Sequence, residues 1–258
     1  MPIAHVNGTK IYYETVGEGR ALVMVHGLGA THAMMRPQVE YFGQSHMVIC
    51  PDLRGNGRSG RLDMPAGEVL WVQCQDIASA LDQLGVLPVD LLGVSYGGVF
   101  AQLFTHLYPD NVRSLIIVDS FCDTRPTTLK RSLLKAITSL AWVYHLPASL
   151  LVMWAQSAYE RWPLAREEVS RIVREVRPSE AMLQRAAISH VNFTGFLPGI
   201  RVPTLGVVGD YTDIGVEYMR QVTDLIPNSR LEILHDSFDP SNLCQPEQFN
   251  HILDEFLK

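Results

Sequence analysis

The chain carries little charge for its size and has no excess of basic residues. Only 19% of its 258 residues are charged, and the formal net charge is −6. This negative balance argues against nucleic acid or an anionic membrane surface as a partner. The hydrophobic share of 47% is typical of a globular protein, and the length fits one large domain with a sizeable core.

Cysteines are few and widely spaced. No two of them form a CxxC pair, so the sequence favours buried thiols over a zinc site or a disulfide framework. No other metal-ligand spacing and no phosphate-binding loop is found, so we expect neither a metal nor an organic cofactor. The four residues concerned are Cys50, Cys74, Cys122 and Cys244.

Long apolar runs are also scarce, and the N-terminal residues lack the basic and apolar regions of a secretion signal. We therefore expect a cytoplasmic protein. One uncharged stretch, residues 136–159, is long enough to span a membrane. Pro147 interrupts it, which favours two short helices meeting at that proline and no stable membrane insertion.

Short apolar runs alternate with helix-like segments along most of the chain, which predicts an α/β fold. Such alternation is typical of a mostly parallel sheet with helices on both faces. Eight strands are expected, at residues 3–6, 10–13, 21–25, 47–50, 89–92, 112–118, 204–208 and 231–234.

The alternation stops between residues 123 and 196, which are mostly helical in pattern. We predict a core domain of residues 1–122 and 197–258 with a helical cap, or lid, of residues 123–196 inserted after the sixth strand. Such a cap would lie over the carboxyl ends of the strands, where ligands bind in open α/β sheets. Its aromatic, uncharged centre suggests that Trp142, His145 and Trp154 bind a small apolar or amphipathic substrate.

Residues 93–98, Gly-Val-Ser-Tyr-Gly-Gly, lie between a predicted strand and a predicted helix. A strand that turns into a helix within a few residues forces the central residue into strained geometry. Gly93 and Gly97 are small enough to let the two elements approach around Ser95. The segment therefore predicts a nucleophile elbow that presents the Ser95 hydroxyl above the N-terminus of the following helix.

Three motifs in this order resemble those of the α/β-hydrolase superfamily along essentially the whole chain. They are His-Gly-Leu-Gly at residues 26–29, Asp-Leu-Arg-Gly-Asn-Gly-Arg-Ser at residues 52–59, and the elbow itself. The resemblance implies an α/β-hydrolase fold with an eight-stranded, mostly parallel sheet. It also implies that the backbone N–H groups of Leu28 and Tyr96 form an oxyanion hole, with His26 as a structural residue of the turn.

The resemblance further implies an acid after the seventh strand and a histidine after the eighth. Asp213 is the preferred acid, with Asp210 more suited to shaping its turn. Asp119, at the end of the sixth strand, is a further candidate because some members of the superfamily carry the acid there.

The expected position of the histidine, counted from the strand and from the final helix, is occupied by Asp239. Either His235 reaches Ser95 through a rearranged loop, or the usual base is missing and Asp239 acts as a base or binds a substrate group. His32, His145 and His190 could also enter the site. An engineered substitution at residue 239 remains a further alternative.

Taken together, the motifs predict a serine hydrolase that cleaves an ester or lactone of an apolar small molecule. The alternatives are a lyase or cyclase of the same fold that lacks the usual base, and a non-catalytic ligand binder. A homodimer is compatible with each of these functions.

Overall fold

The computed structural model describes residues 2–125 and 146–258. Within this part of the chain, eight strands form one sheet in the spatial order β1-β2-β4-β3-β5-β6-β7-β8. The strands are β1 (Ile3–Val6), β2 (Thr9–Val16), β3 (Ala21–Val25), β4 (Met47–Pro51), β5 (Val89–Val94), β6 (Val112–Val118), β7 (Thr204–Gly209) and β8 (Ser229–Leu234).

β2 pairs antiparallel with both of its neighbours, and all other pairs are parallel. The register of β5 with β6 sets Val94 opposite Val118, so Ser95 and Asp119 follow neighbouring strand ends. β7 and β8 are paired up to Gly209 and Leu234, which brings the next loop to the same edge. The predicted α/β-hydrolase fold with a mostly parallel eight-stranded sheet is confirmed.

Helices cover both faces of the sheet and form two apolar clusters, one on each side. Because the central strands are buried on both faces, their sequences are continuous apolar runs rather than alternating ones. The helices of the described residues are α1 (Arg36–Phe42), α2 (Ala66–Leu84), α3 (Tyr96–Leu107), α4 (Ala148–Ala158), α5 (Pro163–Glu175), α6 (Pro178–Ile188), α7 (Asp213–Leu225), α8 (Ser241–Cys244) and α9 (Pro246–Leu257).

Helices α4, α5 and α6 lie in the segment predicted to be the cap. The two ends of that segment are joined, because Asp123 and Asn192 form an isolated bridge and the Phe193 amide donates to the Cys122 carbonyl at 2.8 Å. The cap boundaries remain a prediction. Helix α4 follows Pro147, while Trp142 and His145 lie outside the described residues.

No helix in the described ranges is both long enough and apolar enough to cross a membrane. The four cysteines are buried and lie outside any disulfide, as the sequence predicted. Burial raises the pKa of the thiol of Cys244, the last residue of α8, to about 12.

Candidate active site

Ser95 lies at the turn between β5 and α3 and has a left-handed backbone with φ of 54°. A left-handed φ is uncommon for a residue other than glycine, and strained backbone of this kind is concentrated at functional sites. The Ser95 amide donates to the Val118 carbonyl at 2.8 Å, which fixes the turn to the neighbouring strand. The predicted strand–turn–helix context of the elbow is therefore present.

The glycines of the motif are required by backbone contacts on both sides of Ser95. A Cβ atom on Gly93 would lie 2.0 Å from the Gly97 carbonyl oxygen, and one on Gly97 would lie 2.3 Å from the Val25 carbonyl oxygen. Real Cβ atoms essentially never come this close to other atoms. The strand and the helix can approach each other only because these positions have no side chain.

Leu28 and Tyr96 flank Ser95 and line the same cavity. Among the described residues, neither backbone N–H donates to another protein group, so both are available to an anionic oxygen. Tyr96 is held by its hydroxyl, which donates to Gln73 Oε1 at 2.7 Å. His26 is buried and accepts a hydrogen bond from the Leu53 amide, in agreement with the structural role expected for it.

Asp119 follows β6 and is half-buried beside the elbow. Its carboxylate accepts hydrogen bonds from the Ser241 amide at 2.6 Å, the Ser241 hydroxyl at 2.7 Å and the Gly209 amide at 3.1 Å. Burial raises the pKa of Asp119 to about 6, although these donors oppose the increase. The donors make Asp119 the better stabilised anion of the site.

Asp239 lies two residues before Ser241 and lines the cavity together with Ser95. Asp239 keeps an exposed surface, and the nearby Ser95 side chain favours the charged form of its carboxyl. Removal from bulk water is the main cause that raises the pKa of Asp239 well above its usual range, and the negative charge of Asp119 adds to it. Because two neighbouring carboxyls resist ionising together, Asp119 ionises first and Asp239 second.

A cavity of about 570 Å³ opens above Ser95, between the strand ends and the helices α4 and α6. Its wall is mainly apolar, which suits a small molecule with a polar reacting group. The apolar lining includes Leu28, Phe121, Trp154, Ile188, Ile214 and Phe238, and the polar lining includes Ser95, Asp119, Asp239, Arg185, Ser189 and Thr212.

Two residues proposed from the sequence as partners of Ser95 lie elsewhere. The His235 side chain is 88% exposed and is paired with Asp210 through Nδ1 at 2.9 Å, so it points to solvent where β8 ends. Asp213 is the first residue of α7 and is exposed. Neither residue lines the cavity.

The other histidines that can be located are also outside the cavity. His32 is held between Asp52 at 2.8 Å and Glu14 at 3.2 Å, and His190 is exposed after α6. The sequence reasoning missed Tyr159 and Trp162, which contact the loop of Asp239 from the segment between α4 and α5; Tyr159 also lines the cavity. Their aromatic character was a signal, but it does not distinguish residues that hold a loop from residues that line a cavity.

The fold and the elbow together define an α/β-hydrolase. A family model described as alpha/beta hydrolase fold matches residues 20–242, and the chain belongs to that family. The prediction that the protein is an enzyme of the hydrolase class is confirmed.

Two curated relatives span essentially the whole chain. One, from Azorhizobium caulinodans, carries the provisional name carbamate hydrolase RutD and is 28% identical over 98% of this chain and 97% of its own. Another, 3-oxoadipate enol-lactonase 2 from Acinetobacter baylyi, is 26% identical over 100% of this chain and 99% of its own.

Among solved structures, an esterase from Exiguobacterium antarcticum superposes with a TM-score of 0.83 at 24% identity, covering 99% of this chain and 98% of its own. At 24% identity, this similarity supports the fold alone.

Proposed function

We propose that this protein hydrolyses an ester or lactone bond of a small apolar or amphipathic molecule, with Ser95 as nucleophile and Asp239 as base. The observation that carries the proposal is that Asp239 and Ser95 line the same mainly apolar cavity, where the Ser95 side chain favours the charged form of the Asp239 carboxyl. A serine hydroxyl is a weak nucleophile unless an adjacent base accepts its proton.

In the first half of the reaction, ionised Asp239 accepts the Ser95 proton while the serine oxygen attacks the substrate carbonyl carbon. The N–H groups of Leu28 and Tyr96 stabilise the oxyanion of the tetrahedral intermediate, and one such donor typically contributes about 3–4 kcal/mol. Protonated Asp239 then gives its proton to the departing alkoxide oxygen. The products are an alcohol, or the ring-opened end of a lactone, and an acyl group on Ser95.

In the second half, Asp239 accepts a proton from water while the water oxygen attacks the acyl carbon. The tetrahedral intermediate breaks down as Asp239 returns that proton to the serine oxygen, and the carboxylic acid leaves. Asp119 touches neither reacting atom in this scheme. Its negative charge favours the protonated form of Asp239 and so makes Asp239 a stronger base than a carboxylate in water.

The test compares turnover of a p-nitrophenyl ester, an alkyl ester and a γ-lactone by the parent chain, Ser95→Ala and Asp239→Asn. We expect Ser95→Ala to reduce kcat/KM by at least about 10³-fold. Asp239→Asn should have the larger effect on the alkyl ester and the lactone, whose leaving oxygens need a proton. Asp210→Asn is the matched control, because it makes the same change on the same sheet edge outside the cavity.

The proposal is wrong if Ser95→Ala retains the parent's turnover, or if Asp239→Asn and Asp210→Asn behave alike. Absence of turnover in the parent for all three substrates, together with ligand binding in the cavity, would support the binder instead.

A lyase or cyclase is the second candidate, and the raised pKa of Asp239 is the observation that favours it. A carboxyl that stays protonated can donate to a substrate carbonyl or a departing hydroxyl without an acyl-serine. Turnover in oxygen-18 water separates the two functions. Hydrolysis places the label in the acid product, whereas elimination or ring closure leaves the acyl carbon unlabelled.

A further inference from the structure

The loop that carries Asp239 has no regular secondary structure between the end of β8 and the start of α8. At one end, Ser241 is bound to Asp119 through its amide and its hydroxyl. At the other end, Asp236 has a left-handed backbone with φ of 52°. Because such a backbone is unfavourable for aspartate, the loop needs further contacts to keep this shape.

Those contacts come from the segment between α4 and α5. The Tyr159 hydroxyl donates to the backbone carbonyl of Asp239 at 2.5 Å. The Trp162 indole N–H donates to the backbone carbonyl of Asp236 at 2.8 Å, which also accepts from Gln245 at 2.8 Å. Arg161 forms an ion pair with the Asp236 carboxylate at 2.5 Å.

Aromatic packing supports the same contacts. The Tyr159 ring lies 5.6 Å from the ring of Phe238, and the Trp162 ring lies 6.3 Å from it, measured between centroids. Tyr211 completes the cluster from the loop after β7, at 5.2 Å from Trp162 and 5.4 Å from Phe238. Tyr159 and Trp162 are buried, so these rings fix the loop in addition to the hydrogen bonds.

We infer that Tyr159 and Trp162 are positioning residues that align the Asp239 carboxyl with the Ser95 hydroxyl. The inference rests on the proposed role of Asp239. A base transfers a proton efficiently only within hydrogen-bond reach of its donor, and a shift of about 1 Å costs as much as 10²-fold in rate. Tyr159 binds the main chain of the very residue whose side chain must meet Ser95.

Tyr159→Phe is the informative variant, because it removes the hydroxyl and keeps the ring in the cluster. Tyr211→Phe is the control for loss of a hydroxyl from the same cluster. Tyr159 lines the cavity and Tyr211 does not, so KM is needed to separate a lost substrate contact from misalignment of Asp239. The first measurement is the rate at which a fluorophosphonate probe labels Ser95 between about pH 5 and pH 9. The second follows the Asp239 carboxyl by carbon-13 NMR, with Asp239→Asn to assign its signal.

We expect Tyr159→Phe to slow labelling about tenfold and to move the titration of Asp239, with its melting temperature close to that of Tyr211→Phe. On an ester substrate, kcat should fall while KM stays within about twofold. Trp162→Phe should act in the same direction, and Tyr211→Phe should match the parent in every measurement.

The inference is wrong if Tyr159→Phe labels at the parent rate and leaves the Asp239 titration unchanged. It is also wrong if Tyr159→Phe and Tyr211→Phe lose rate and thermal stability equally, because the cluster would then be only structural. A parent chain that the probe does not label contradicts the proposed function instead. In that case the NMR titration alone decides the positioning role.

Discussion

Two pairs of titratable side chains lie after strands of the same sheet, and they differ in almost every physical respect. Asp119 and Asp239 line the cavity with Ser95, and the charge of Asp119 raises the pKa of Asp239, whereas Asp210 and His235 lie outside the cavity and are paired with each other. The hydrogen bond from His235 is the main reason that the pKa of Asp210 is lowered. The pair with the more familiar catalytic residue types therefore lies outside the cavity, and the like-charged pair lies in it.

Position relative to the cavity, rather than residue type or exposure, separates the two pairs. In a Ser-His-Asp triad, the acid stabilises the histidine after it accepts a proton. Asp119 can do the same for Asp239, because a negative charge favours any neighbour that takes up a proton. In both arrangements a negatively charged acid stabilises the protonated base, and here the base is a carboxyl in place of the imidazole.

Replacing the carboxyl at residue 239 by an imidazole should have the largest effect on the rate of ester hydrolysis. Asp239→His places an imidazole between Asp119 and Ser95, where Asp119 can stabilise its protonated form. We expect ester hydrolysis near neutral pH to rise about tenfold or more, because the pKa of histidine is closer to the working pH. Steady-state turnover of a p-nitrophenyl ester measures this. Adding His235→Ala to Asp239→His should leave the gain intact, and loss of the gain would make His235 part of the site.

The second prediction concerns the pH dependence of kcat/KM when the negative charge of Asp119 is removed. Hydrolysis requires ionised Asp239, so kcat/KM should rise with pH through the raised pKa of this carboxyl. Asp119→Asn removes the repulsion and lowers the pKa of Asp239, which should move the rise toward acid pH by on the order of one unit. A pH–rate profile measures the shift. Asp210→Asn should leave the profile in place, and a shift toward alkaline pH in Asp119→Asn would contradict the assignment.

The third prediction concerns stability. Because the pKa values of Asp119 and Asp239 are raised in the folded state, that state binds more protons than the unfolded chain above about pH 4. Their contribution to stability is therefore present below the ordinary carboxyl pKa and is lost as pH rises through the raised values. Between about pH 5 and pH 8, the free energy of unfolding of Asp239→Asn should therefore exceed that of the parent. The difference should be on the order of 1 kcal/mol, a small value because water in the cavity screens Asp239.

Urea denaturation at several pH values measures this difference. A parent that becomes more stable than Asp239→Asn as pH rises would show that the pKa of Asp239 is lowered instead.

The exposed pair should give the smallest effect. An ion pair between exposed groups typically contributes about 0–1 kcal/mol, so His235→Ala should change the free energy of unfolding by no more than about 0.5 kcal/mol. Thermal or urea denaturation in low and high salt can check it. A larger loss would mean that the pair holds the loop before Asp239 in place.

The sequence was most informative where the functional residues are close together in a short motif. The elbow around Ser95 is a short motif whose glycines are required by close backbone contacts, and residues of the elbow and of the turn at Leu28 line the cavity. The eight-stranded, mostly parallel sheet followed from the resemblance. The preference for Asp213 also came from the resemblance, but the direction in which a loop side chain points is set by contacts that a motif does not contain.

The sequence left the general base open among His235, Asp239 and the histidines His32, His145 and His190. A strand end can turn a side chain toward the cavity or toward solvent, and His235 lies where the strand has ended and the pattern no longer fixes direction. The contacts of Tyr159 and Trp162 with the Asp239 loop join residues about 80 positions apart, so no local pattern reports them. Trp154 lines the cavity and remains a predicted substrate contact.

Among the described strands, β8 comes last in sequence and lies at the edge of the sheet, next to β7. The order of synthesis therefore has a chemical consequence. A ribosome-bound chain can assemble the elbow and the oxyanion turn long before the loop of Asp239 has been made. Such a nascent chain would hold a serine without a base, and it would acquire one only when the final strand docked at the sheet edge. Two fragments divided before β8 would then each be inert, and their recombination could be followed by the reactivity of Ser95.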